Sequence, residues 1–340
     1  MTVDNLVESI SIKSDAKLPE QIIQAEPLSF KENFNSSHFM FSHNLAGHPL
    51  FEIPRLVELA DTILSQGRTN KIQTYTSRVP VEQKWNHRPR IKQISEVKEA
   101  IAEIAESDSW VMLEDVHVDP EYAALLDQIF TELEILTGRP LRQEMTWFGA
   151  YIFIASPHSV TPYHIDSELN FLFQIHGEKQ MSLFDQNDRS VLSEEAIEKF
   201  YMGELNVANY QEENQTKASV YDLQPGKGLH HPILAPHWAK NGNKVSVALS
   251  ILFYLRPYDL KARVYQVNNY LRQLGLEPTP PGKSALLDQI KIFALGLLCD
   301  RQPKSKFAIP RSGALRLKSI EKRLKEFTNK IAKKVKIFSK

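Results

Sequence analysis

A single cysteine, Cys299, stands in 340 residues. An internal disulfide framework is therefore excluded, and a reducing compartment fits. Long hydrophobic runs are also missing. The longest uncharged apolar stretch, VSVALSILFYL at 245–255, is too short to span a bilayer and reads as a buried strand. The first twenty residues, MTVDNLVESISIKSDAKLPE, carry acids where a secretory signal needs an apolar run, so the expected location is cytoplasmic. Neither charge sign dominates: 41 basic residues balance 41 acidic ones, which argues against a chain that coats nucleic acid along its whole length. Internal repeats and low-complexity tracts are lacking too.

The balance conceals an asymmetry. Residues 301–340 hold 14 Lys or Arg against 2 Glu, a local net of +12, which leaves −12 for residues 1–300. From Leu317 onward, Ile320, Leu324, Phe327, Ile331, Val335 and Phe338 recur at steps of three or four, with lysines on the other face. Such a helix can lie on an anionic membrane, bind nucleic acid, or pack on the protein or on a second copy as a homodimer. The tendency of apolar stripes to become buried favours packing.

The chain changes texture twice. Residues 1–35 are polar and mixed and read as a loose arm. Helices are expected from about Pro54 (Leu56, Leu59, Ala60 and Leu64 at helical spacing), around ISEVKEAIAEIAESD, and over 120–137, the last opened by an Asp119 N-cap with Pro120 and closed at Gly138. SWVMLEDV reads as a strand. The segment 75–90, with Trp85, His87 and Arg88, reads as a loop that either covers a pocket mouth or is a plain surface loop with a packed Trp. Residues 145–258 show short β-branched and aromatic runs separated by Gly, Pro, Asn and Asp, the pattern of a sandwich or barrel. Beyond Pro257 helices return. The expected divisions are an N-terminal region 1–144, a β core 145–258 and a C-terminal helical region 259–340.

The chemistry concentrates in TPYHIDSELNFLFQIHGEKQMSLF, residues 161–184. On a strand, residues two apart share a face, so His164 and Asp166 can aim at one point. Composition alone predicts about one such His-x-acid triplet, and three occur. His117-Val-Asp119 is explained by the helix cap, and His176-Gly-Glu178 by a glycine turn. The remaining triplet needs a second histidine. His237, in PGKGLHHPILAPHWAKNG, is the candidate, 73 residues after His164, while His230 and His231 are neighbouring imidazoles and rival ligands. Two histidines and one carboxylate form the facial set that holds Fe(II) with open positions. On the strand containing it, Lys179 shares a face with Met181 and Leu183, although a strand lysine taken alone is more often an edge or surface residue.

These residues carry a resemblance. The chain is similar to the JmjC and cupin-like 2-oxoglutarate oxygenases, in particular the asparaginyl-hydroxylase-like branch, strongly over 145–258 and weakly in the flanking helices. The resemblance implies a mainly β double-stranded β-helix, or jelly roll, with flanking N- and C-terminal α-helices. It implies Fe(II) on His164, Asp166 and His237, with 2-oxoglutarate and O2 as cosubstrates. Lys179, fifteen residues after His164, then pairs with the distal carboxylate, helped by Thr161, while Asn170 and Ser250 line the cosubstrate pocket. Trp147, Tyr151 and Trp238 are placed near the metal. Asp166 favours hydroxylation, since halogenating members have a small residue there. The chain departs from the pattern at Lys227 and at His230-His231, where the family often has an acid and an aromatic. The implied substrate is a side chain of a protein or peptide, and the −12 balance favours a basic segment. A small molecule, and a non-catalytic or zinc-type cupin binding module, are the alternatives.

Overall fold

The inner strands form because long runs of β-branched and aromatic residues can be covered on both faces. Met145–Ala155, Leu169–His176 and Ser246–Leu255 are the central ones, and the last is buried throughout. The computed structural model describes residues 18–87 and 97–298. In chain order the strands are β1 (Ile23–Gln24), β2 (Phe39–His43), β3 (Ile72–Thr76), β4 (Ser109–Glu114), β5 (Met145–Ala155), β6 (Val160–His164), β7 (Leu169–His176), β8 (Lys179–Leu183), β9 (Ser219–Leu223), β10 (Lys227–His231), β11 (His237–Asn241) and β12 (Ser246–Leu255). They build an eight-stranded sheet, order β1-β2-β10-β7-β12-β5-β4-β3, and a four-stranded sheet, order β6-β11-β8-β9, with every pairing antiparallel.

The sheets face each other. Leu172, Leu229 and Ala248 of the large sheet share a buried cluster with Met181, Leu183, Leu223 and Ala239 of the small one. This is the expected jelly roll with flanking helices. Helices cover the outer side of the large sheet. They are α1 (Pro27–Asn33), α2 (Ile53–Ser65), α3 (Val97–Ala102), α4 (Pro120–Thr137) and α5 (Leu141–Glu144). Phe130 of α4 meets Phe148 and Phe253 edge-on, each at 5.9 Å, and Phe30 of α1 stacks on Phe171 at 5.7 Å. Each fully buried ring of this kind contributes about 2–3 kcal/mol.

Helix α4 occupies the expected 120–137, with the Asp119 carboxylate accepting from the Glu121 amide and Gly138 left-handed at its end. The loose arm expected over 1–35 is corrected for residues 18–35. Ile22 and Ile23 are fully buried, and the Glu132 carboxylate accepts both of their amides at 2.6–3.1 Å. Polar composition misled because an acid on α4, more than a hundred residues away, satisfies that backbone.

Among the described residues, a second compact unit comprises Ser193–Val207 and 257–298. It holds α6 (Glu194–Tyr201), α7 (Arg256–Gln273) and α8 (Ala285–Leu298), consistent with helices beyond Pro257. Arg272 grips the buried Glu198 carboxylate in a bidentate pair at 2.8 and 3.0 Å. On α8, Leu286, Ile290 and Phe293 are exposed, one helical face expected to bury. Cys299 and the basic stripe from Leu317 lie outside the described residues. Among the described residues, no helix is long and apolar enough to cross a membrane.

The turn between β7 and β8 sets the register of Lys179. It depends on Gly177, whose φ is +66° and where a Cβ would lie 2.2 Å from the Val245 carbonyl oxygen. Gly177→Ala is therefore expected to destabilise the fold by about 2 kcal/mol or more. A urea-unfolding midpoint unchanged from wild type would refute this.

Candidate metal centre

Antiparallel pairing brings the two candidate histidines together. His164 ends β6, His237 opens β11, and the register sets them opposite each other, with ring centroids 4.2 Å apart. Directly opposed residues project to the same face of a sheet. His237 also lies opposite Leu183, a member of the inter-sheet cluster, so both imidazoles face inward. Strand β6 stops at His164, so Asp166 lies beyond it and not on the same strand as expected. A backbone bond, Leu234 N–H to Asp166 O at 2.8 Å, holds the segment in place instead. The Asp166 carboxylate sits between the rings, Oδ1 at 3.8 Å from His164 Nε2 and Oδ2 at 3.7 Å from His237 Nε2.

Each ring is aimed by its other nitrogen. His164 Nδ1 lies 2.7 Å from the Pro162 carbonyl oxygen and His237 Nδ1 lies 2.9 Å from that of Ala235. A carbonyl only accepts, so both Nδ1 atoms carry the proton and both Nε2 lone pairs point at the carboxylate. Burial, and then the neighbouring His164, pushes the His237 pKa down to about 4 against the opposing pull of Asp166. It is neutral at pH 7, as a metal ligand must be. Donors about 2.1 Å from a common ion lie roughly 3.0–3.6 Å apart. The observed 3.7 and 3.8 Å therefore need only a small contraction. His164, Asp166 and His237 can each place a donor atom within 4.8 Å of the others, and they are the one such cluster among the described residues. The donor set fits a divalent ion such as Fe(II).

The other expected site residues line the space between the sheets. Lys179 is buried, on the same face of β8 as Met181 and Leu183. Among the described residues no hydrogen bond or ion pair engages its ammonium, and burial alone pushes its pKa down to about 8. Thr161 lies opposite Ala239, itself opposite Met181, and therefore faces the same interior. On the large sheet Ser250 donates to Asn170 Oδ1 at 2.8 Å. These two share their strand faces with Ala248 and Leu172 of the inner cluster.

Two placements, those of Trp85 and Trp238, differ from expectation or were missed. Trp85 of the 75–90 loop stacks on His164 at 4.9 Å and 23°, and also packs on Tyr75 and Trp110. The packed tryptophan of the second reading is thus present, and one of its partners is a candidate ligand. The spacing of a loop tryptophan carries no such signal; Arg88 lies outside the described residues. Trp238 alternates away from His237, its indole N–H donating to Gln215 Oε1 at 3.1 Å. Tyr151 does face the chamber, across from Ser250; burial first, then Glu114, Glu168 and Asp166, raises its pKa and keeps the phenol protonated.

The family model of the cupin-like domain matches residues 55–258. The chain belongs to the cupin-like domain family. Among curated proteins none matches. Several solved structures do. One of YcfD from Escherichia coli aligns with a TM-score of 0.49 and 16% identity, over 85% of this chain and 71% of that one. Another, described as the ribosomal oxygenase YcfD from Escherichia coli in complex with cobalt and 2-oxoglutarate, aligns with a TM-score of 0.47 and 16% identity, over 84% and 69%. The dimethylsulfoniopropionate (DMSP) lyase DddQ from Ruegeria pomeroyi DSS-3 aligns with a TM-score of 0.21 and 14% identity, over 33% and 39%.

Proposed function

We propose that this cupin-like protein is an Fe(II)- and 2-oxoglutarate-dependent dioxygenase that hydroxylates a side chain of a protein or peptide. One observation carries the reading: a two-histidine, one-carboxylate cluster and a buried ammonium without a partner among the described residues face the same inter-sheet space. A buried cation left unpaired is costly, and a dicarboxylate that spans from the metal to Lys179 removes the cost. A binding module or a zinc-type cupin has no use for that cation.

In this reading His164, Asp166 and His237 hold the iron, whose chemistry, with 2-oxoglutarate and O2, is oxygen insertion into an unactivated C–H bond with succinate and CO2 as coproducts. The Pro162 and Ala235 carbonyls orient the imidazoles so that no rotation is needed on binding. Lys179 pairs with the distal carboxylate of the cosubstrate, and Thr161 adds a hydroxyl contact. Ser250 orients the Asn170 amide, whose NH2 group then lines the pocket. Trp85 and the aliphatic cluster exclude water from one side of the centre. Asp166 at the carboxylate position favours hydroxylation. The acidic balance of residues 1–300 favours a basic polypeptide segment over a small molecule.

Anaerobic addition of Fe(II) and 2-oxoglutarate is expected to produce the weak visible metal-to-ligand charge-transfer band, absent in His164→Ala. Bound metal with no band in the wild-type protein would refute the oxygenase and leave the binding module.

A further inference from the structure

Residues 230 and 231 are consecutive histidines on β10 and face opposite ways. His230 lies on the outer face, stacked on Phe171 at 4.4 Å. Its Nδ1–H donates to the Asn170 carbonyl at 2.9 Å, and its Nε2 accepts the Asn35 amide at 2.9 Å. Both ring nitrogens are satisfied, so the role is structural and the rival-ligand reading for His230 is removed.

His231 turns inward, opposite Asn170 and on the same side as Leu229 of the inter-sheet cluster. Its ring lies 4.5 Å from that of His237. It is 1% exposed, and among the described residues neither ring nitrogen makes a hydrogen bond. The adjacent Pro232 carbonyl exerts a small pull on the ring without reaching hydrogen-bond geometry. Among the described residues His117 also has ring nitrogens without hydrogen bonds, but its ring packs on Phe148, away from the centre. Among the described histidines, His231 combines unmet hydrogen-bonding capacity with contact to a candidate ligand.

An imidazole buried without partners is unfavourable, and an inward β position beside leucine accepts an aliphatic residue without that cost. The His231 ring, when neutral, carries one donor and one acceptor nitrogen. It does not belong to the set whose donor atoms all approach within 4.8 Å, so it is not a fourth ligand in this geometry.

We propose that His231 is a positioning residue whose ring hydrogen-bonds a carboxylate oxygen at the metal end of 2-oxoglutarate. The proposal rests on the oxygenase reading.

Full-length wild type, His231→Leu and His231→Gln, loaded anaerobically with Fe(II), are titrated with 2-oxoglutarate while the charge-transfer band is followed. Co(II) alone is titrated separately by its visible absorption. For His231→Leu the expected result is about tenfold weaker 2-oxoglutarate binding, a shifted band, and Co(II) affinity within about twofold of wild type. His231→Gln, whose amide can still donate, recovers most of the loss. Unchanged 2-oxoglutarate affinity in His231→Leu overturns the proposal while leaving the oxygenase reading intact. A loss of Co(II) affinity overturns it in favour of a fourth ligand. If wild type itself binds no 2-oxoglutarate, both readings fall. Thermal unfolding checks the fold of each variant. Should the leucine variant not fold, His231→Met, of similar reach and without a donor, takes its place with the same criteria.

Discussion

Asp166→Ala is expected to lower metal affinity by more than about 100-fold and turnover by at least about 1000-fold. Loss of a group that merely supports a ligand costs roughly 10–100-fold, and loss of a ligand costs more. Asp166 is the one carboxylate in the cluster, and the two imidazoles alone leave a dication uncompensated. The variant should still fold, because the contact that holds the segment is a backbone bond to Leu234, which alanine preserves. Titration of Co(II) by its visible absorption measures the affinity. Wild-type affinity in Asp166→Ala would remove this residue from the centre.

Lys179→Met should act in opposite directions on binding and on stability. Removing the cation weakens 2-oxoglutarate by about 100-fold, the range for a charge-assisted pair in a buried site, with metal affinity unchanged. Without cosubstrate, the same substitution removes a buried charge that has no partner among the described residues, so the protein becomes more stable at pH 7 by about 1–3 kcal/mol. The pH dependence has a definite sign. The folded-state pKa of Lys179 is lowered to about 8 from 10.5, with burial as the cause. Between those values the unfolded chain binds a proton that the folded chain does not, so this lysine makes wild-type stability rise with pH across the window. Chemical denaturation of the cosubstrate-free protein at pH 7.5 and 9.5 should show that rise in the wild type and its absence in Lys179→Met. Equal slopes would mean that Lys179 is solvated or paired.

Much of the site was legible because its signals are local. A histidine and an acid two residues apart and a histidine between a proline and an Asn-Gly turn are short-range patterns, and the lysine fifteen residues on gains its meaning from the resemblance they carry. Helix α4 was legible for the same reason, since its Asp119 cap and Gly138 stop lie at its own ends. Trp85 and His231 were not assigned their places because nothing within a few residues of either reports what it touches. The arm ahead of β2 was misread as loose because the carboxylate that satisfies its backbone belongs to Glu132.

The sequence by itself determined the β texture of the core, the helices flanking it, the residues of β8 that share a face and the types of donor available for a metal. Strand alternation and helix caps depend on neighbours in the chain, so they can be read without the fold. Only the tertiary structure decided that His164 and His237 stand side by side, that Asp166 reaches both from beyond the strand end, and that His230 faces outward while His231 faces the centre. The physical reason is register. Alternation assigns residues to two faces but does not say how one strand lies against the next, and a one-residue slip between β6 and β11 or between β10 and β7 exchanges every side chain on them.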